Sequence, residues 1–338
     1  MRAIVLHRHG PIADMTYETG FPDPTPKPGD VIVRVKACAL NYHDVFTIRS
    51  MPGIKITMPR IVGLDVAGEV AALGPDVTGW KVGDRVVVDP IDRVRGGLTG
   101  ETFDGGMAEY VRVAAHQLLR LPDDVGFDTA AALPCAYGTA YRMMMARGAV
   151  KGGEKVLILG ASGGVGTCCV QLAKLVGAEV AVCASSTEKL QRLKALGADH
   201  LINYATEEFM AASHRVFGRP RVWGASGGGD GADVVVNFTG GDTWVPSIRC
   251  LRRQGRLLTC GATAGFDPKE DIRYIWTFEQ NIMGSNGWQK EDIVALLDLV
   301  QQGKLDPCID QRFKLTDGLA ALHALEQRTI TGKIIVEP

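Results

Sequence analysis

No C-x-x-C pair occurs among the eight cysteines of this chain, which fall at 38, 135, 168, 169, 183, 250, 260 and 308. Several sit inside apolar runs, so they read as buried free thiols and not as a disulfide framework. Long hydrophobic runs are missing too: nothing approaches the roughly 20 apolar residues that a bilayer span needs. The opening MRAIVLHRHG has no apolar stretch long enough for a signal peptide, and a cytoplasmic protein is expected. Charge of one sign is also lacking. With 37 basic and 38 acidic residues the net charge is -1, which gives no long-range attraction for phosphate backbones or anionic lipid. Neither nucleic acid nor membrane is therefore an expected partner. An apolar share of 46% and a charged share of 22% exclude a disordered or fibrous chain, and there is no internal repeat. At roughly 150 residues per domain, 338 residues point to two domains.

Glycine is abundant, at 41 residues, and many glycines follow short Val/Ile/Leu-rich runs, as where strands turn into helices. Up to about residue 123 the chain reads as short strands broken by turns, clearest at DVIVRVKA and GDRVVVD, with the proline-rich PDPTPKPGD as a surface connector. From 124 to 286 apolar strands alternate with amphipathic helices: KVLILG, VGTCCVQLAKLVG, EVAVCAS, TEKLQRLKALG, HLINY, then ADVVVNF, GRLLTCG and NIMGSN. That alternation predicts βαβ units and a doubly wound, mostly parallel sheet, hence an α/β fold. Residues 287 to 338 hold two helices, EDIVALLDLVQQG and TDGLAALHALEQ, and a last strand, GKIIVEP, which are expected to return to the first domain. The stretch GRPRVWGASGGGDG reads as a surface loop, because its glycines precede a strand and open no helix.

The strongest chemical signal is KVLILGASGGVG, residues 155 to 166. A strand ends at Gly160, a turn of Ala161, Ser162 and Gly163 follows, and a helix starts near Gly164, Val165 and Gly166. Glycines there let backbone approach a pyrophosphate, and the helix N-terminus supplies N–H donors and the positive end of a dipole. The context of strand, turn and helix makes this a dinucleotide site. The next strand ends in Ser185 and Ser186 without an acid, with Lys189 and Arg192 on the following helix. An acid at that point would bind a ribose 2′-OH and repel a 2′-phosphate, so NADPH is the expected cofactor. Both basic residues also fit a solvated helix face. Tyr204 follows the third strand and either borders the adenosine or is a surface tyrosine.

Over essentially the whole chain, the order ALNYHD, VGLDVAGEV, KVGDRV, DGGMAEYV, LPCAYGTAY, GASGGVG, LGADHLINY and GKIIVEP resembles the medium-chain dehydrogenase/reductase superfamily, and within it the quinone-oxidoreductase-like branch. The resemblance implies a GroES-like β-rich catalytic domain, a Rossmann cofactor domain, an active site in the cleft between them, and a homodimer or homotetramer. It implies that Thr139, Thr239, Gly240, Gly261 and Ala262 approach the cofactor, with Ser285 and Asn286 toward the carboxamide; ordinary turn chemistry is the alternative for each. Where the zinc-dependent members have a cysteine, a histidine and often a second cysteine, this chain has Asn41, Leu64 and Cys135. Leucine cannot ligate zinc, so no catalytic metal is expected. The family's structural zinc loop carries four cysteines, whereas the matching IDRVRGGLTGETF has none. No structural metal is expected either.

Without a Lewis acid on the reacting oxygen, an acceptor that spreads its own charge is the better match. Quinones and α,β-unsaturated carbonyls do so, which predicts hydride transfer from NADPH to a small conjugated carbonyl whose oxygen is held by protein donors. Asn41 is the candidate donor, from the resemblance to related quinone reductases, or else a cap on a helix over 42–49. Tyr42 would give a proton or line the pocket, or be a core aromatic. Asp44 stands where the family has an acid that orients the loop, and His43 is expected at the surface or behind the site. Three other readings stay open. An enoyl-thioester reductase would need the family's tyrosine, which falls on Pro52 here. An atypical alcohol or aldehyde dehydrogenase would hold a metal through Cys135, Asp65 and His43. A catalytically silent NADPH-binding protein is the third.

Overall fold

Strand Asp30–Ala39 (DVIVRVKACA) is buried along nearly its whole length and organises the first of two units, residues Met1–Tyr137 with Lys290–Pro338. The structure, a computed structural model, describes residues 1–50, 56–223 and 230–338. Pro52 and residues 224–229 of the glycine-rich stretch lie outside the described residues.

The elements of the first unit's leading part are β1 (Ala3–Leu6), β2 (Thr16–Glu18), β3 (Asp30–Ala39), α1 (Tyr42–Arg49), β4 (Arg60–Ile61), β5 (Asp65–Leu73), β6 (Arg85–Val88), β7 (Tyr110–Ala114), β8 (Leu118–Arg120) and α2 (Phe127–Ala131). The second unit, Gly138–Gln289, runs α3 (Gly138–Tyr141), β9 (Lys155–Ile158), α4 (Gly164–Leu175), β10 (Glu179–Ala184), α5 (Thr187–Ala195), β11 (His200–Asn203), α6 (Phe209–Phe217), β12 (Ala232–Val236), α7 (Trp244–Cys250), β13 (Leu251–Thr259), α8 (Ile272–Thr277) and β14 (Asn281–Gly284). The chain then re-enters the first unit as α9 (Lys290–Gln301), β15 (Ile309–Lys314), α10 (Gly318–Glu326) and β16 (Lys333–Glu337).

In the first unit one sheet has the order β2-β1-β4 and a larger one the order β15-β16-β3-β5-β6-β8, with β7 also on β3. β3 is antiparallel to both β5 and β16, with Ala39 opposite Asp65 and also opposite Ile335. The end of β3 therefore lies beside the beginnings of β5 and β16. The core between the sheets is aliphatic, including Ile4, Val33, Val35, Ile61, Val66, Val86, Met107 and Ile334.

The second unit is one parallel sheet in the order β11-β10-β9-β12-β13-β14, as the alternating pattern predicts. Strands β9, β10 and β12 are near-continuous apolar runs because helices bury the middle of such a sheet on both faces. The order reverses between β9 and β12, and at such a switch point the carboxyl ends of the strands form the ligand crevice.

Two details differ from the sequence reading. The units change at 137/138 and 289/290, whereas composition placed the changes at 123/124 and 286/287. The physical reason is that α2 packs on β3 and β5, and the Tyr137 hydroxyl accepts the Cys308 N–H at 2.8 Å, so 124–137 stays with the first unit. Strand β15 has no counterpart in that reading. Its sequence, IDQRFK, is half exposed and lacks a clean apolar alternation. None of the eight cysteines is in a disulfide, and five of them, Cys38, Cys168, Cys169, Cys183 and Cys250, are buried.

Candidate active site

The meeting of β3, β5 and β16 in the first unit brings three polar side chains together in an apolar surrounding. Asn41 follows the end of β3, Asp65 opens β5 and Lys333 opens β16; they are 6%, 0% and 2% exposed. Lys333 Nζ donates to Asn41 Oδ1 at 2.6 Å, to Leu40 O at 2.8 Å and to Asp65 Oδ2 at 3.3 Å. Asn41 Nδ2 donates to Asp65 Oδ2 at 2.9 Å and, through a longer contact of 3.3 Å, to Ala39 O. Asp65 Oδ1 accepts the Cys135 N–H at 3.0 Å. Cys135 lies in Leu133–Tyr137, a wide π-type turn that frees its N–H to point out of the helix. All three ammonium protons are used, as burial of a charge demands.

Asn41 is also the residue before the first turn of α1, with extended backbone (φ -130°, ψ 154°). Its side chain does not serve the helix; it faces Lys333 and Asp65. The reciprocal cap is made by Asp44, whose carboxylate accepts the Asn41 N–H at 2.8 Å and the Gly63 N–H at 3.0 Å. Asp44 thus ties the start of α1 to the Gly63-Leu64-Asp65 segment. Burial pushes its pKa up to about 6, against the lowering effect of those two N–H donors. Asp65 is raised as well, because burial outweighs the opposing Lys333 charge and the Asn41 and Cys135 donors. Tyr42 is half-buried, edge-on to Phe46 at 5.1 Å, with the Arg328 guanidinium 4.9 Å from its ring centre. His43 Nε2 donates to Glu101 Oε2 at 2.6 Å. Burial works to lower the His43 pKa, but the hydrogen bond and charge of Glu101 outweigh it and the pKa is raised.

These residues do not fit a zinc ion. Position 41 offers a carboxamide whose oxygen is taken by an ammonium, position 64 is a buried leucine, and the Asp65 carboxylate already carries the Lys333 cation. Cys135 is left as the one thiolate-forming ligand of the set, whereas zinc takes at least three protein ligands. His43 is engaged to Glu101, so Cys135, Asp65 and His43 do not form a ligand set; among the described residues no three His, Cys, Asp or Glu side chains are grouped to hold a metal. The segment matching the structural zinc loop is organised by a carboxylate. Buried Asp92 accepts from the Val94 N–H (3.1 Å), the Arg95 N–H (2.9 Å), Arg95 Nε (2.5 Å) and His116 Nε2 (3.0 Å).

In the second unit the glycine-rich turn connects β9 to α4, and the chain fits a dinucleotide there. A Cβ on Gly166 would stand 2.4 Å from Gly160 O and 2.5 Å from Ala161 Cα, so only glycine lets α4 sit this close to the turn. Gly160 itself has φ +65°. Gly163 precedes α4 and gives it no side-chain cap, which leaves the first N–H groups of a 12-residue helix facing outward beside Ser162, Gly164 and Val165. Ser186 caps α5 by accepting the Lys189 N–H at 3.3 Å, with Ser185 exposed beside it and Tyr204 exposed after β11.

Beyond β12, Thr239 and Gly240 are held by a residue the sequence reading missed, Asn237. Fully buried, it accepts both their N–H groups at 2.9 and 3.0 Å and donates to Thr243 and Ser247. The signal was available: an asparagine ending the apolar run VVVNF needs a reason to be there. Gly261 and Ala262 are exposed after β13, and Thr139 is half-buried in α3. Ser285, after β14, is buried with no hydrogen-bond partner for its hydroxyl, next to exposed Asn286. A buried orphan hydroxyl is the kind of group a carboxamide satisfies. Lys333 was the other residue missed, a lysine opening an otherwise apolar strand.

A unit of mostly antiparallel sheets with a buried polar network, joined to a doubly wound unit with a glycine-rich turn, defines the architecture of a nicotinamide-dependent oxidoreductase. The chain matches the family models described as "Alcohol dehydrogenase GroES-like domain" over residues 27–123 and "Zinc-binding dehydrogenase" over 164–302. It is 30% identical to a crotonyl-CoA reductase of Streptomyces avermitilis over 93% of this chain and 80% of that protein. It is 33% identical to a 2-methylene-furan-3-one reductase of Solanum lycopersicum over 100% of this chain and 79% of that protein. A solved structure titled as an NAD-dependent alcohol dehydrogenase superposes with a TM-score of 0.90, at 32% identity and full coverage of both chains. The chain belongs to the medium-chain dehydrogenase/reductase superfamily of oxidoreductases. Among the described residues no helix is long and apolar enough to cross a membrane.

Proposed function

We propose that this protein is a zinc-independent, NADPH-dependent reductase of conjugated carbonyl compounds, namely quinones or α,β-unsaturated ketones and aldehydes. The observation that carries the reading is the Lys333 ammonium seated on Asp65 and Asn41, where a metal would need free ligands. A proton-bearing cation already engaged to its partners cannot take a lone pair from the reacting oxygen as zinc does, so the acceptor must delocalise the incoming electron pair itself. NADPH, when bound, supplies the hydride. The glycine-rich turn at 160–166 would hold its pyrophosphate, Ser185, Ser186, Lys189 and Arg192 its 2′-phosphate, and Thr139, Thr239, Gly240, Ser285 and Asn286 its nicotinamide end. Asn41 Nδ2 would donate to the acceptor oxygen, exchanging its long contact to Ala39 O for that bond. The enolate or hydroquinone anion left after hydride addition would take its proton from water. Asp44 and Tyr42 would keep the loop in place.

A second reading differs only in the acceptor. An α,β-unsaturated thioester is also a conjugated carbonyl, and likeness to a crotonyl-CoA reductase supports it. The test is consumption of NADPH, and separately NADH, by chelator-dialysed protein with 1,4-naphthoquinone, 3-penten-2-one, trans-2-hexenal, crotonyl-CoA and hexanal. The first three acceptors should be reduced with NADPH preferred. Crotonyl-CoA outrunning them selects the thioester reading. Reduction of hexanal as fast as the conjugated acceptors in undialysed protein that chelation abolishes, or no turnover of any acceptor, overturns both.

A further inference from the structure

Lysine can only donate hydrogen bonds and a carboxylate can only accept them, whereas a carboxamide has one face of each kind. Asn41 lies between the two: Oδ1 is 2.6 Å from Lys333 Nζ and Nδ2 is 2.9 Å from Asp65 Oδ2. Turning the amide over would set N–H against ammonium and C=O against carboxylate, so one orientation is allowed. The ammonium on Oδ1 also draws electron density from the amide and makes its N–H protons better donors, an effect strengthened by the low dielectric of a site where all three groups are buried. A buried ion pair adds little net stability over apolar side chains of the same volume. Its physical effect here is directional.

We propose that Lys333 is a positioning residue of the reaction: it acts through Asn41, fixing which face of the carboxamide meets the acceptor and strengthening that face as a donor. The proposal rests on the reading above that Asn41 Nδ2 holds the acceptor oxygen. It requires that Lys333 matter only while Asn41 is present.

A double-mutant cycle on the full chain tests this, with NADPH and 3-penten-2-one or 1,4-naphthoquinone, whichever the wild type turns over. Lys333→Met alone strands a buried carboxylate, so the working variant is Asp65→Asn with Lys333→Met, which removes both charges and lets the Asn41 amide sit either way round. We expect kcat to fall at least ~10-fold with the NADPH dissociation constant within ~2-fold of wild type. Asn41→Ala should lower kcat to a similar degree. Added to the charge-free pair, it should cost less than ~3-fold more. Two independent losses that multiply in full, or a charge-free pair with wild-type kcat beside an impaired Asn41→Ala, overturn the positioning role and leave the Asn41 reading intact. Wild-type kcat in Asn41→Ala overturns that reading, and the proposal with it.

Discussion

Replacing Lys333 by methionine removes the cation and leaves the methylene stem, so the stability change reports on the stranded Asp65 carboxylate. In the native protein Asp65 is fully buried, and its bonds beyond Lys333 are one amide N–H from Asn41 and one backbone N–H from Cys135. Without Lys333 the carboxyl has two choices, to stay charged in an apolar site or to take up a proton. Breaking a buried pair by removing one partner costs about 3–5 kcal/mol. Protonation from an unfolded-state pKa near 3.9 costs about 3 kcal/mol at pH 6 and about 5–6 kcal/mol at pH 8. The folded-state pKa of Asp65 in the variant lies above its unfolded value. Because burial already raises Asp65 in the native protein, the loss relative to wild type vanishes below the native folded pKa and grows above it, by about 1.4 kcal/mol per unit, until the variant's own folded pKa is reached. Asp44, pushed up to about 6 in part by the Asp65 charge, adds its own dependence near pH 6, so the slope is read between pH 7 and 8. Urea unfolding of wild type and variant at pH 6, 7 and 8, with equal m-values as a check on the reference state, measures this slope. Asp65→Asn with Lys333→Met should recover to within about 2 kcal/mol of wild type with no slope, since the charged pair leaves together. A pH-independent cost in the single variant, or a double variant as unstable as the single, would refute the account of a lone cation holding Asp65 ionised.

Ser186→Asp keeps a good helix cap on α5 but adds a negative charge beside the proposed 2′-phosphate position. Titration of cofactor fluorescence should show NADPH binding weakened at least ~10-fold and NADH binding little changed; equal losses for both would place the 2′-phosphate elsewhere. Gly166→Ala puts a methyl 2.4 Å from Gly160 O, so α4 must shift from the turn. Dinucleotide affinity should drop at least ~10-fold, with a stability loss of about 1–3 kcal/mol; native affinity would show that the close approach does not shape the site.

Much of the second unit was legible because its determinants are local. The glycine-rich turn at 160–166 lies between a four-residue apolar strand and an amphipathic helix, and periodicity, turn chemistry and helix polarity can each be read within about 20 residues. The loops after β12 and β14 were harder. Thr239 and Gly240 could be placed at strand ends, but Asn237 as the hub that holds their N–H groups, and the orphan Ser285 hydroxyl, depend on side-chain directions that spacing does not reveal. Composition changes near 124, while the packing of α2 on β3 and β5 keeps the segment 124–137 with the first unit.

The first unit makes the contrast sharper. From residue types alone it followed that Leu64 cannot bind a metal and that the interval 91–103 holds no cysteine, both matters of chemistry at single positions. That Asn41 faces Lys333, 292 residues away, follows from strand register: β3 runs antiparallel to β5 and β16, so its end lies beside both their beginnings. Register is set by the apolar faces of all three strands together, and a shift of one residue would turn Asp65 or Lys333 to the opposite face. No local pattern contains that information, because the force that fixes it is burial summed over the whole sheet.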